Sequence, residues 1–154
     1  MYVTPRLVIG GRETCGAHAG AMIHACKKCH RFFLGYQKAL PQDHPNYLFV
    51  EHENDLYINM IDPHEARYFR PSLFTTAVEF IDRHIEKNPV AIHCERGLSR
   101  SPSVALVYLA STGMVANSSF DEARAQFSEL YPSYAPGEGI ETFLRQSWEV
   151  LIHG

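Results

Sequence analysis

The sequence predicts an α/β fold, and three observations predict it. Short β-branched and aromatic runs alternate with stretches of helical periodicity, Gly and Pro punctuate the boundaries between them, and neither a repeat nor a low-complexity tract interrupts the alternation. A length of 154 residues suits one domain with a real core and is short for two, so a single domain is expected over 1–154.

Leu7-Val8-Ile9 followed by Gly10-Gly11 reads as a strand ending in a turn. Residues 22–26 form a second short apolar run with strand character. From 31 to 46 the periodicity is poor, and Pro41, Asp43 and Pro45 mark an irregular connection. Residues 47–50 and 56–61 are rich in strand formers, and Asp62-Pro63 breaks the second run. Over 72–87, Leu73, Phe74, Ala77, Val78, Phe80, Ile81 and Ile85 make the stripe of an amphipathic helix, which Asn88-Pro89 stops. Val90-Ala91-Ile92 is a buried strand, and the apolar stretch 102–110 is a buried helix ending near Gly113. Ser119 and Glu122 have capping-box spacing for a helix whose inner face holds Phe120, Ala123, Phe127 and Leu130. Beyond the Pro- and Gly-rich loop 132–139, Ile140, Phe143, Leu144, Trp148 and Leu151 define a last helix.

Composition narrows the function classes. Apolar residues make up 45% and charged residues 20%, an ordinary globular balance, and the net charge of −3 gives no global field for nucleic acid or an acidic membrane. No apolar run reaches the ~20 residues that span a bilayer, and the first residues show no basic region leading into an apolar core. Four cysteines do not suggest a disulfide scaffold. A reduced, cytoplasmic setting is the expectation, with no dedicated nucleic-acid binding and no membrane insertion.

The chemistry concentrates in His93-Cys94-Glu95-Arg96-Gly97-Leu98-Ser99-Arg100-Ser101, between a buried strand and a buried helix. Such a loop aims successive backbone N–H groups and the positive end of the helix dipole at one point, where a phosphate fits. The same field favours the thiolate of Cys94, the nucleophilic form. Glu95, Arg96, Gly97, Leu98 and Ser99 supply the cradle, Gly97 by permitting a turn that a Cβ would obstruct. Arg100 closes it with a planar fork that can hold two phosphate oxygens. Ser101 can donate a hydrogen bond to the thiolate when it departs. The competing reading, an inert buried cysteine beside a surface arginine, leaves these offsets unexplained.

His-Cys, five residues, then Arg and Ser is the signature that this stretch shares with the protein tyrosine phosphatase superfamily. The continuation from Ser99 to Leu109 resembles the small dual-specificity branch. The resemblance is strong at 93–101, good over 56–92 and weak over 11–55. It implies a mostly parallel sheet flanked by helices, a cysteinyl-phosphate intermediate, no metal and no cofactor. It further implies an aspartate about thirty residues before the cysteine, acting first as acid and then as base. Asp62 stands 32 residues before Cys94, with Asp55 and Glu65 as rival carboxylates and a plain Asp-Pro turn as the competing reading. His93 is expected to order the loop through hydrogen bonds. Two features depart from the family pattern. Glu95 and Arg96 place charge where many relatives carry smaller residues, and the chain has no room for a separate phosphotyrosine-recognition loop. A shallower pocket is therefore expected, open to phosphoserine and phosphothreonine as well as phosphotyrosine.

Cys15-Gly-Ala-His18 and Cys26-Lys-Lys-Cys29 have the look of paired zinc ligands, but their separation is short and 22–26 reads as strand. Scattered reduced thiols are the favoured reading. Cys26 is also a candidate redox partner of Cys94, because two parallel strands would end there together. The basic run Lys27-Lys28 with His30-Arg31 follows the same strand end and could attract a substrate bearing several phosphates. The expected partner is a phosphorylated protein or another phosphomonoester. The alternatives are a phosphoinositide or RNA 5′-phosphate hydrolase, and a silent module that only reads phosphorylated partners.

Overall fold

Among the described residues, six strands make one sheet: β1 (Tyr2–Thr4), β2 (Leu7–Gly10), β3 (Ala21–Ala25), β4 (Phe49–His52), β5 (Asp55–Ile58) and β6 (Val90–His93). Among the described residues, five α-helices accompany it: α1 (Lys27–Leu34), α2 (Pro71–His84), α3 (Arg100–Ser111), α4 (Phe120–Leu130) and α5 (Glu138–His153). This computed structural model describes residues 1–17 and 20–154. The strand order is β1-β2-β6-β3-β5-β4, with β2, β6, β3 and β5 parallel and an antiparallel strand at each edge. The α/β class with a mostly parallel sheet is as expected.

Alternation along the central strands divides the sheet into two faces. Leu7, Ile9, Ala21, Ile23, Leu56, Ile58, Val90 and Ile92 point into one hydrophobic core with α2, α3, α4 and α5. Residues 101–110 of α3 are buried throughout, so this helix reads as apolar all round and lies at the centre of that core. On α2 the buried residues are Leu73, Phe74, Ala77, Phe80 and Ile81, the predicted stripe. Pro71 stands at its start, where a missing N–H costs nothing. Ser119 caps α4 by accepting the Glu122 backbone N–H at 3.1 Å. The opposite face of the sheet carries His24 and His93, with α1 laid over it.

Local expectations fail in three places. α1 lies in a stretch that the sequence presents as an irregular connection with a basic run. Its only buried residue is His30, held by Tyr36 and the Asn46 carbonyl, and Phe33 stacks on Tyr57 of β5. Leu130 is on the outside of α4 rather than its inner face, 43% exposed in the last turn. The strand expected over 47–50 runs instead from Phe49 to His52, because it follows the hairpin register with β5. Among the described residues, no helix is long and apolar enough to cross a membrane.

Candidate active site

β6 delivers Cys94 to the edge of the sheet, and α3 begins six residues later at Arg100. The backbone between them folds back on itself. Gly97 has φ +73°, and a Cβ there would meet the Gly10 carbonyl carbon and the Gly11 nitrogen at 2.9 Å. Two constraints therefore demand glycine at 97: the left-handed backbone and the close approach of the 10–11 turn. The Gly97 N–H donates to the Cys94 sulfur at 3.3 Å, so the loop encircles the thiol. Cys94 itself is buried, 2% exposed.

Ser101 sits under the same sulfur. Its Oγ is 3.2 Å from Cys94 Sγ and 3.1 Å from the Gly10 carbonyl. The one hydroxyl proton can be directed to either acceptor, the Gly10 carbonyl or the Cys94 sulfur. Arg100 donates to the Met60 carbonyl at 2.9 Å, which ties the cradle to the segment that leads into Asp62. That bond leaves the remaining donors of the guanidinium for an oxyanion.

Asp62 lines one cleft with Cys94, Glu95, Arg96, Leu98, Ser99, Arg100, Ala135 and Gly137, of about 530 Å³. Among the described residues, neither rival carboxylate lines it. Asp55 is spent on His24 at 2.8 Å, and Glu65 pairs with Arg67 at 2.9 Å. A Cβ at Gly137 would meet the Asp62 carboxylate at 2.5 Å, and one at Gly139 would meet the Pro63 carbonyl at 2.2 Å. The start of α5 can therefore approach the Asp62 loop this closely only with glycine at both positions.

The unusual charges at 95 and 96 are accommodated differently. Glu95 pairs with Arg12 and lies 4.0 Å from Lys28, so its carboxylate is partnered by cations on the side of the loop. Arg96 is exposed at the rim. Of the basic run, Lys28 reaches this edge, whereas His30 is buried and belongs to the α1 packing.

Several positioning residues are absent from the sequence reading. Tyr131 donates to the Gly97 carbonyl at 2.6 Å, Ala135 N–H to the Leu98 carbonyl at 2.8 Å, and Gly137 N–H to Ser99 Oγ at 2.8 Å. The segment 131–137 thus braces the whole outer side of the loop. Its only sequence signal is its density of Gly, Pro and Tyr.

His93 is buried behind the loop, with Nδ1 3.3 Å from the Cys94 carbonyl and Nε2 2.7 Å from Nδ1 of His24. Burial pushes both histidines below their usual range, His93 further through His24, while for His24 the Asp55 carboxylate opposes the shift. Cys26 follows β3 as Cys94 follows β6, so the two do reach the same edge of the sheet. Cys26 is the N-cap of α1, and its hydrogen bond with Cys29 draws its thiol below the usual range while pushing that of Cys29 up.

Comparisons with known proteins agree with this architecture. Residues 16–146 match the family model described as dual specificity phosphatase, catalytic domain. Human dual specificity protein phosphatase 5 is 35% identical over 80 residues, 51% of this chain and 20% of that protein. The match thus spans about a fifth of that relative's length. The crystal structure of human DUSP28 superposes with a TM-score of 0.67 at 16% identity, covering 99% of this chain and 94% of that one. Human tyrosine phosphatase-like serine/threonine/tyrosine-interacting protein gives a TM-score of 0.67 at 18% identity over 99% and 97%. PTPMT1, in complex with PI(5)P, gives 0.64 at 12% over 98% and 95%. At these identities the structural likeness speaks for the fold alone.

Proposed function

The chain belongs to the dual-specificity phosphatase family, and from that premise we propose that it hydrolyses phosphomonoesters through a cysteinyl-phosphate on Cys94. The observation that carries this reading is the Cys94 sulfur enclosed by its own loop, 3.3 Å from the Gly97 N–H and 3.2 Å from the Ser101 hydroxyl. Both groups are placed to hydrogen-bond the sulfur, and the loop's backbone N–H groups to hold an anion bound above it.

In the first step the Cys94 thiolate attacks phosphorus, the P–S bond forms and the P–O bond breaks. Asp62, protonated, gives its proton to the leaving oxygen. Backbone N–H groups of 95–99 and the Arg100 fork hold the phosphoryl oxygens, as the loop's strand-to-helix position favours. In the second step water attacks phosphorus, Asp62 takes its proton, and the P–S bond breaks to release inorganic phosphate. The thiolate that departs receives the Ser101 hydroxyl proton as a hydrogen bond, at the expense of Gly10.

The substrate class we favour is phosphorylated protein, with tyrosine and serine or threonine esters both admitted. Asp62 and Arg96 are exposed at the mouth, consistent with a shallow entrance. A relative bearing a phosphatase-like name and one seen with a phosphoinositide share this fold, so the residues must decide. Cys94, Arg100, Ser101 and Asp62 are together here, which supports turnover over silent reading.

The experiment is hydrolysis of an aryl phosphate, followed by a panel of phosphopeptides, phosphoinositides and 5′-phosphorylated RNA. Turnover of the aryl ester that vanishes in Cys94→Ser is expected, with phosphopeptides the best of the panel. No aryl-phosphate turnover by the wild-type chain would overturn the reading. A preference for a lipid or RNA ester would overturn the substrate class.

A further inference from the structure

The second face of the sheet carries a cluster that this chemistry does not use. Cys15, His24, Cys29 and His93 each present one ligand atom, and the four atoms all lie within 4.8 Å of one another. They come from four elements: the end of the 12–14 helical turn, β3, the first turn of α1, and β6. His24 and His93 are direct partners on neighbouring parallel strands, so the pleat sends both rings to the same side. Cys15 Sγ is 3.8 Å from His24 Nδ1, Cys29 Sγ is 3.8 Å from His93 Nε2, and the two nitrogens are 2.7 Å apart.

We infer that Cys15, His24, Cys29 and His93 bind a zinc ion in a tetrahedral site of two thiolates and two imidazoles, behind the phosphate loop. Zn–S bonds of about 2.3 Å and Zn–N bonds of about 2.0–2.1 Å place sulfur and nitrogen roughly 3.6 Å apart in a tetrahedron. The two S···N distances of 3.8 Å meet that requirement with little movement. The same geometry sets two nitrogens about 3.3 Å apart, so the imidazoles, now 2.7 Å apart, separate by about 0.6 Å when the ion enters.

The outer edges of the two rings are already arranged as metal-bound histidines are. His24 Nε2 donates to Asp55 Oδ1 at 2.8 Å, and His93 Nδ1 donates to the Cys94 carbonyl at 3.3 Å. With both outer nitrogens protonated, the inner pair faces lone pair to lone pair. Unless one inner nitrogen carries an extra proton or a metal ion takes both lone pairs, one ring must surrender its outer hydrogen bond. An ion takes both lone pairs and keeps both outer bonds, the pattern in which a carboxylate or carbonyl orients each ligand. Tyr57 stacks on His24 at 4.3 Å and Phe33 on Tyr57 at 4.3 Å, which gives the cluster an apolar cover. A simple histidine pair would explain the 2.7 Å contact but not two sulfurs set at ligand distance on its two sides.

This ligand set differs from the one the sequence offers. Two cysteines of the paired motifs remain, Cys26 is left out, and His24 and His93 enter through strand register; His18 lies outside the described residues. Binding displaces the thiol protons of Cys15 and Cys29 and involves no redox step. The ion's role is to staple α1 and the 12–15 turn to the residue preceding Cys94.

The test uses the full chain purified under reducing conditions without chelator. Elemental analysis should find about one zinc per chain. The zinc-stripped protein titrated with Co²⁺ should give the visible bands of a tetrahedral thiolate complex. Cys15→Ser and Cys29→Ser should lose the ion, Asp55→Asn should weaken its affinity about 10–100-fold, and Cys26→Ser should retain it. Wild-type chain that carries no zinc and gives no tetrahedral cobalt spectrum overturns the inference, and this measurement needs no variant to fold. Loss of the ion in Cys26→Ser as complete as in Cys29→Ser overturns the ligand assignment. None of these readouts depends on turnover, so the site and the phosphatase reading fail separately.

Discussion

The loop around Cys94 and the histidine–cysteine cluster share β6, yet they are built in opposite ways. The loop is one continuous segment from His93 to Ser101, and local backbone geometry sets its chemistry: Gly97 turns the chain and α3 begins where the anion would lie. The cluster gathers residues from four elements, and only the pairing of His24 with His93 brings them to one place. A contiguous site depends on its own residues and on what braces them. An assembled site depends on the sheet. Substitutions in the first should act on turnover, and those in the second on the integrity of the fold around it.

The largest effects should fall inside the loop. Cys94→Ser should abolish turnover while an oxyanion still binds, because a hydroxyl is not ionised near neutral pH; equilibrium binding of vanadate or phosphate measures the second half. Arg100→Lys should cost roughly the 10²–10³-fold of a lost oxyanion donor, since lysine has no planar fork, read as kcat/KM on an aryl phosphate. Asp62→Asn should lower kcat about 10²–10⁴-fold on poor leaving groups, and much less on good ones. If Asp55→Asn or Glu65→Gln reproduces that dependence and Asp62→Asn does not, the acid lies elsewhere.

Residues that brace the loop should matter less. In Gly137→Ala the new methyl displaces the Asp62 carboxylate, and the loss should not exceed the roughly 10²-fold cost of a group misplaced by about an ångström. As with Asp62→Asn, it should shrink with better leaving groups; a uniform loss would mean that the loop itself had moved.

The smallest effect should come from the α1 side. Burial holds His30 below its ordinary value of 6.5, so the unfolded chain takes up the proton first. Its contribution to stability is present above 6.5 and is lost as the pH falls through the lower folded value. Thermal unfolding should show a shallower acid-side loss in His30→Asn than in wild type, and an unchanged slope would remove His30 from the account.

The same contrast explains what could be foreseen. The loop was legible because strand, glycine, arginine and helix follow one another in sequence, and Asp62 because a single helix separates it from Cys94. Glycines 137 and 139 were visible only as loop residues; their meaning is the contact with 62–65, which no local pattern encodes. α1 was missed because Cys29, Phe32 and Phe33 are too few apolar positions to mark a helix of eight residues, and its one buried residue is a histidine. For the cluster, the sequence offered two cysteine-containing pairs, and parallel register replaced half of that set with histidines 69 residues apart.

The central claim, a covalent phosphoryl transfer to Cys94, is tested most directly by trapping the intermediate. Rapid acid quenching of wild-type enzyme with an aryl phosphate, followed by peptide mass spectrometry, should place a phosphoryl group on the peptide containing Cys94. It should accumulate when water attack is slowed in Asp62→Asn with a good leaving group. A phosphoryl group on another residue, or steady turnover by Cys94→Ser with no adduct at all, would contradict the account.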